Sequence, residues 1–146
     1  MNRRLLIRTL AMTALGTGPA FAAPEERRPN LLRVGESLQR DEGLKITFLA
    51  VSKDHRCPIN AQCVTQGDAT VVLRVKAGNQ AARNVRIHTN DKPRQVVIPA
   101  NEFPPDMAGI PKSYVISIAK LNPLPTAGKE TPQAKYLLAL RISVAQ

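Results

Sequence analysis

Tryptophan is missing from this chain, and its few Phe and Tyr residues bring aromatics to only 3% of 146 residues. Long apolar runs are missing as well, and there are just two cysteines. Each scarcity excludes something. Proteins that hold single-stranded nucleic acid stack its bases on rings along a basic groove. Without those rings that mode is closed, so no nucleic acid is expected as a partner despite a net charge of +10. No stretch reaches the roughly 20 apolar residues that a membrane-spanning helix needs. Neither a glycine-rich phosphate loop nor a Gly-x-Ser-x-Gly elbow is present. No cofactor is expected, and the reading is of a protein that is not an enzyme.

What is present begins at the N-terminus. Arg3, Arg4 and Arg8 form a basic head, an apolar run follows from Leu10 to Leu15, and Ala20-Phe21-Ala22 supplies a small-x-small cleavage pattern. Residues 1–22 are therefore expected to be a signal peptide cut near Ala22/Ala23, giving a periplasmic or secreted product. The paired arginines also fit twin-arginine export, but a plain positive head is the simpler reading. No cysteine stands near the expected cut, which argues against an N-terminal lipid anchor. The remaining 124 residues suit one domain. Three basic residues would leave with the leader, so the mature chain would carry 18 basic and 11 acidic residues, or +7. Arg74, Lys76, Arg83, Arg86, Lys92 and Arg94 are spread singly rather than clustered. An exported basic protein of this kind suits an envelope protein or an anionic polymer as partner.

Residues 23–30 (Pro24, Glu25, Glu26, Arg27, Arg28, Pro29) read as a flexible charged lead-in. From Leu31 the pattern becomes strand, turn, strand. Short extended pieces over 31–34 and 37–39 precede a turn at 40–43. Over 44–51, Leu44, Ile46, Phe48 and Ala50 are expected on one face, with Lys45, Thr47, Leu49 and Val51 on the other. Alternation is clearest over 69–76, where Val71, Leu73 and Val75 interleave with Val72, Arg74 and Lys76. It recurs over 83–89, 95–98, 114–121 and 136–144, with Pro- and Gly-rich breaks between. The expectation is an all-β, single-domain antiparallel sandwich (Ig-like) or small barrel over 31–146, closed by one disulfide.

The segment Asp54-His55-Arg56-Cys57-Pro58-Ile59-Asn60-Ala61-Gln62-Cys63 is the candidate for chemistry. In an oxidising compartment Cys57 and Cys63 pair as a disulfide pinning the link between two strands. The spacing does not suit a Cys-x-x-Cys redox site. A small metal-binding or thiol-dependent centre on His55, Cys57 and Cys63 is the alternative, although a tetrahedral metal would need a fourth donor. Asp54 and Arg56 alternate around His55, so they share a face if the chain is extended there. As an ion pair they would tie the loop to the sheet; otherwise Arg56 would be free to recognise an anion. Asp54, His55 and Arg56 are thus the candidate binding residues. His88 reads as a solvated surface residue. Asp91, Glu102 and Asp106 lie in loops with no sign of convergence.

The pattern Asp54-x-Arg56-Cys57-Pro58-x4-Cys63-x3-Gly67-x-Ala69 resembles a motif of small exported bacterial proteins and lipoproteins of unknown function. The tail is similar to theirs too: Leu121-x-Pro123-x-Pro125, then Tyr136-x-Leu138-x-Leu140. This chain has His55 where that pattern would carry a small hydroxyl residue, and Thr65-Gln66 where it would carry Trp-Ala. The resemblance implies an exported β domain and supplies no activity. The functional expectation is an exported, non-enzymatic binding or structural module of the bacterial envelope, or else an inhibitor of a secreted enzyme acting through the disulfide loop.

Overall fold

A computed structural model of the chain describes residues 16, 18, 30–40, 43–103 and 112–145. The expected leader, apart from two of its glycines, lies outside these residues, as do 23–29 of the lead-in, Asp41, Glu42 and Asp106. Eight strands follow in order: β1 (Asn30–Arg33), β2 (Ser37–Arg40), β3 (Leu44–Asp54), β4 (Ala69–Ala77), β5 (Arg83–His88), β6 (Gln95–Ile98), β7 (Ser113–Asn122) and β8 (Leu137–Ala145). They form two four-stranded antiparallel sheets, ordered β2-β3-β4-β5 and β1-β8-β7-β6. The sheets remain separate layers, so the sandwich rather than the closed barrel is the architecture. Asn30, expected at the end of the lead-in, already pairs with Leu140 as the first residue of β1.

The core lies between the layers and follows from the alternation. Leu44, Ile46 and Phe48 of β3, Val71, Leu73 and Val75 of β4, Ile87, Ile98, Tyr114, Ile116, Leu138 and Leu140 join in one buried cluster. Each such side chain taken from water stabilises the fold by about 1.5–3 kcal/mol before chain entropy is counted. The intervening residues of β4, Arg74 and Lys76, stay exposed, as a strand with one wet face requires.

Among the described residues strict alternation fails at three places, all bulges. The β3–β4 register slips between Phe48 and Ala50, and again between Val51 and Lys53. One extra residue reverses which face the next side chain takes. Val51, expected outside, is therefore buried, while Ala50 is only partly so. Val51 is paired with Val71 of β4, but β2 pairs with β3 only as far as Thr47, so the other side of β3 has no strand at Val51. The Gln133 amide supplies both missing bonds, its Oε1 accepting from Val51 N and its Nε2 donating to Val51 O, each at 3.0 Å. The β7–β8 register slips likewise between Ile118 and Lys120, which turns Leu121 into the core opposite Leu138.

Beyond Asp54 the β3–β4 hairpin continues as a narrower ladder. His55 N donates to Asp68 O at 2.7 Å and Cys57 N donates to Gln66 O at 2.8 Å. The Cys57–Cys63 disulfide sits at the tip, with its Cα atoms 5.9 Å apart. Gly67 allows the ladder to close: its φ is +68° and a Cβ there would collide with the His55 carbonyl oxygen.

Candidate functional site

Arg56 is the hinge-pin of this tip, and it is buried, with 7% of its surface exposed. Its Nε and Nη2 grip the two Asp54 carboxylate oxygens, each at 2.8 Å. Nη1 donates to Leu121 O at 2.5 Å and Nη2 to Pro123 O at 2.7 Å. The Tyr136 hydroxyl donates to the same carboxylate at 2.9 Å. Desolvation works against ionising Asp54, but hydrogen bonds from Arg56 and Tyr136, with the Arg56 charge, hold its pKa below the ordinary carboxylate value. Desolvation and the bond to Asp54 push the Tyr136 hydroxyl up. The Asp54–Arg56 pair therefore joins the disulfide hairpin to the loop after β7 and to the start of β8. With its fork committed to a carboxylate and two carbonyls, Arg56 is a structural clasp. Four of its five N–H groups are engaged, which leaves an external anion one Nη1 N–H to grasp.

His55, between the two, stays exposed and has neither a charged partner nor a metal-ligating neighbour among the described residues. Both sulfurs are joined, so neither offers a thiolate. The disulfide loop presents Ile59 and Val64 to solvent, at 68% and 105% relative exposure. Its frame is nevertheless fixed, since Ile59 N donates to Pro125 O at 3.0 Å and Asn60 Oδ1 accepts from Ala127 N at 2.8 Å.

A second polar cluster escaped the sequence reading. His88 is not a solvated surface residue. Its Nδ1 lies 2.6 Å from Asp68 Oδ2 and 3.3 Å from Thr70 Oγ1. Asp68 Oδ1 also accepts from the Asn90 and Asp91 backbone amides and from the Thr89 hydroxyl, at 2.9, 3.1 and 3.2 Å. These donors outweigh desolvation and drive the Asp68 carboxyl far below its usual range. Asp68, His88 and Asp91 bring ligand-type atoms within 4.8 Å of one another. Asp68 Oδ1 is held by three donors of this turn and Oδ2 by His88, so the cluster reads as a cap on the β5–β6 connection. It is not a hydrolytic relay either. Thr70 and Asp68 meet the same imidazole nitrogen, whereas a relay needs the hydroxyl on one nitrogen and the acid on the other.

The third feature is electrostatic. Three of the six singly spaced cations, Arg74, Lys76 and Arg86, share the outer face of the β2-β3-β4-β5 sheet, whereas Arg83 pairs with Glu102 and Lys92 and Arg94 lie between β5 and β6. Lys45 pairs directly with Lys76 across β3 and β4, and Arg74 stands one row on, between Thr47 and Asn84. Arg86, opposite Val72, continues the series. Rows on one face are about 7 Å apart and directly paired Cβ atoms about 5 Å. Lys45, Thr47, Arg74 and Lys76, with Asn79 and Gln80 of the next turn, line a depression of about 660 Å³ that contains no acidic side chain. None of these cations forms an ion pair with a described residue. Period-two spacing carries the signal for Arg74 and Lys76, but Lys45 joins them only through the strand pairing.

The class these features define is an all-β sandwich with a disulfide-tipped hairpin and a cationic outer sheet. Among the described residues no helix is long and apolar enough to cross a membrane. Comparison with family models, curated proteins and solved structures finds no match.

Proposed function

We propose that the protein is an exported, non-enzymatic module of the bacterial envelope that docks onto an anionic polymer through the outer face of the β2-β3-β4-β5 sheet. The leader pattern at residues 1–22 and the disulfide support export into an oxidising compartment. The observation that carries the docking is the Lys45–Lys76 pair. Like charges directly opposite on a sheet destabilise it, so folding gives no reason to place them there. A polyanion bridging Lys45, Lys76, Arg74 and Arg86 supplies one, and the depression gives it a seat. Binding should then weaken steeply with salt, since these charges are exposed. The test is retention of the purified protein on immobilised polyphosphate and polyglutamate over a salt series. Strong retention at low salt that is lost on raising the salt is expected. Absent or salt-insensitive retention contradicts the reading.

A second reading has its own observation. Ile59 and Val64 project from a loop fixed at both ends, the arrangement of a preorganised protein-binding tip. Inhibition of a secreted enzyme by that loop is its concrete form, tested by assay against a panel of extracellular proteases.

A further inference from the structure

Between the disulfide hairpin, the β5–β6 connection and the bulge of β7 lies a cleft of about 450 Å³, separate from the cationic depression. The cleft meets the chain just before Ala69, and the depression meets it at Lys76 and the turn beyond. Its size lies within the range of about 300–1,000 Å³ in which small-molecule sites fall.

The lining sorts into two kinds. Ile118, Ala119 and Leu124 supply apolar surface, and Gln66, Asn90 and Lys120 supply polar groups. The bulge between Ile118 and Lys120 allows β7 to contribute both kinds here. Arg56 and Cys57 also border the cleft, but the Arg56 charge is matched by Asp54 and four of its five N–H donors are committed. Lys120 is exposed and forms no ion pair with a described residue. No acidic side chain lines the cleft.

From this arrangement we infer that the cleft binds a small amphipathic monocarboxylate, its apolar body against Ile118, Ala119 and Leu124 and its carboxylate on the Lys120 ammonium. The charge pattern selects this class. A cation would meet Lys120 with no compensating carboxylate. A polyanion would find one uncommitted cation here against four on the outer sheet. A wholly apolar molecule would leave the ammonium unmatched. The Gln66 side chain stands at the same mouth and can hold the second carboxylate oxygen, whereas Asn90 Nδ2 already donates to Gly67 O at 2.6 Å.

The experiment is titration of the 15N-labelled protein with octanoate below its micelle concentration, with octan-1-ol as the uncharged control. Saturable one-to-one shifts at the amides of Gln66, Asn90, Lys120 and Leu121 are expected, with octanoate at least tenfold tighter than octan-1-ol. Lys120→Gln should weaken octanoate at least fivefold and leave octan-1-ol unchanged. Leu124→Asp should abolish both, at a residue exposed enough to spare the fold (48%). Four results would overturn the inference: no saturable shift, shifts confined to Lys45, Arg74 and Lys76, equal affinity for the two probes, or self-association that protects the cleft. None of them depends on whether the outer sheet binds a polyanion.

Discussion

Replacing Arg56 by alanine should be among the most damaging single changes outside the apolar core. The guanidinium neutralises a carboxylate that is only 9% exposed and satisfies the Leu121 and Pro123 carbonyls. Removing it leaves Asp54 with the Tyr136 hydroxyl as its remaining side-chain partner. Breaking a buried pair in this way costs about 3–5 kcal/mol. The orphaned carbonyls would add to that if they stayed dry, but Arg56 borders the 450 Å³ cleft, so water can reach the gap and limit their share. At about 4 °C per kcal/mol for a domain of this size, Tm should fall by roughly 12–20 °C. Urea denaturation followed by circular dichroism gives the free energy directly. Arg56→Lys should recover only part, because one ammonium cannot reproduce a fork gripping two carboxylate oxygens and two carbonyls. Pairing Arg56→Ala with Asp54→Asn should lose at least about 1 kcal/mol less than the sum of the single losses, since the double variant buries no unpaired charge. A loss below about 1 kcal/mol for Arg56→Ala, the range of exposed ion pairs, would refute the clasp.

Other outcomes follow from the same geometry. Cys57→Ser should cost about 2–2.5 kcal/mol by the loop-entropy estimate for so short a ring, read from the urea midpoint. Gly67→Ala should cost at least about 1–2 kcal/mol from the left-handed backbone alone, and the collision with His55 O should add to it; an unchanged melting curve would contradict the ladder. The Asp68 carboxyl has a folded-state pKa below its unfolded value, so the unfolded chain takes up more protons in acid. Its contribution is complete above about pH 5 and lost as pH falls through about 4 and below. Asp68→Asn should therefore lower stability at neutral pH and flatten the acid limb of a urea-midpoint profile.

The alternation of β4 could be read residue by residue, because Val71, Leu73 and Val75 repeat at two and their neighbours are polar. The all-β class was legible for the same reason, and the disulfide from two cysteines behind a leader pattern. The facing of Val51 and Leu121 was not, because a bulge is a property of the paired strands and leaves no mark on either one. At the tip, the spacing of Asp54 and Arg56 revealed the pair but not its burial. That burial depends on Leu121, Pro123 and Tyr136, at least 65 residues away in the chain. His88 looked solvated because Asp68, 20 positions earlier, reaches it only once β4 and β5 are paired. The cationic face was half visible: Arg74 and Lys76 share a parity, but Lys45 needs the β3 register.

Removing charge from that face tests the central claim most directly. In Lys76→Gln, unfolding free energy and affinity for polyphosphate should move in opposite directions. Stability should rise by up to about 1 kcal/mol as the repulsion with Lys45 is relieved, while retention on polyphosphate at low salt falls severalfold. A variant that binds as well as the original, or that loses stability along with binding, would contradict a face kept cationic for an anionic partner.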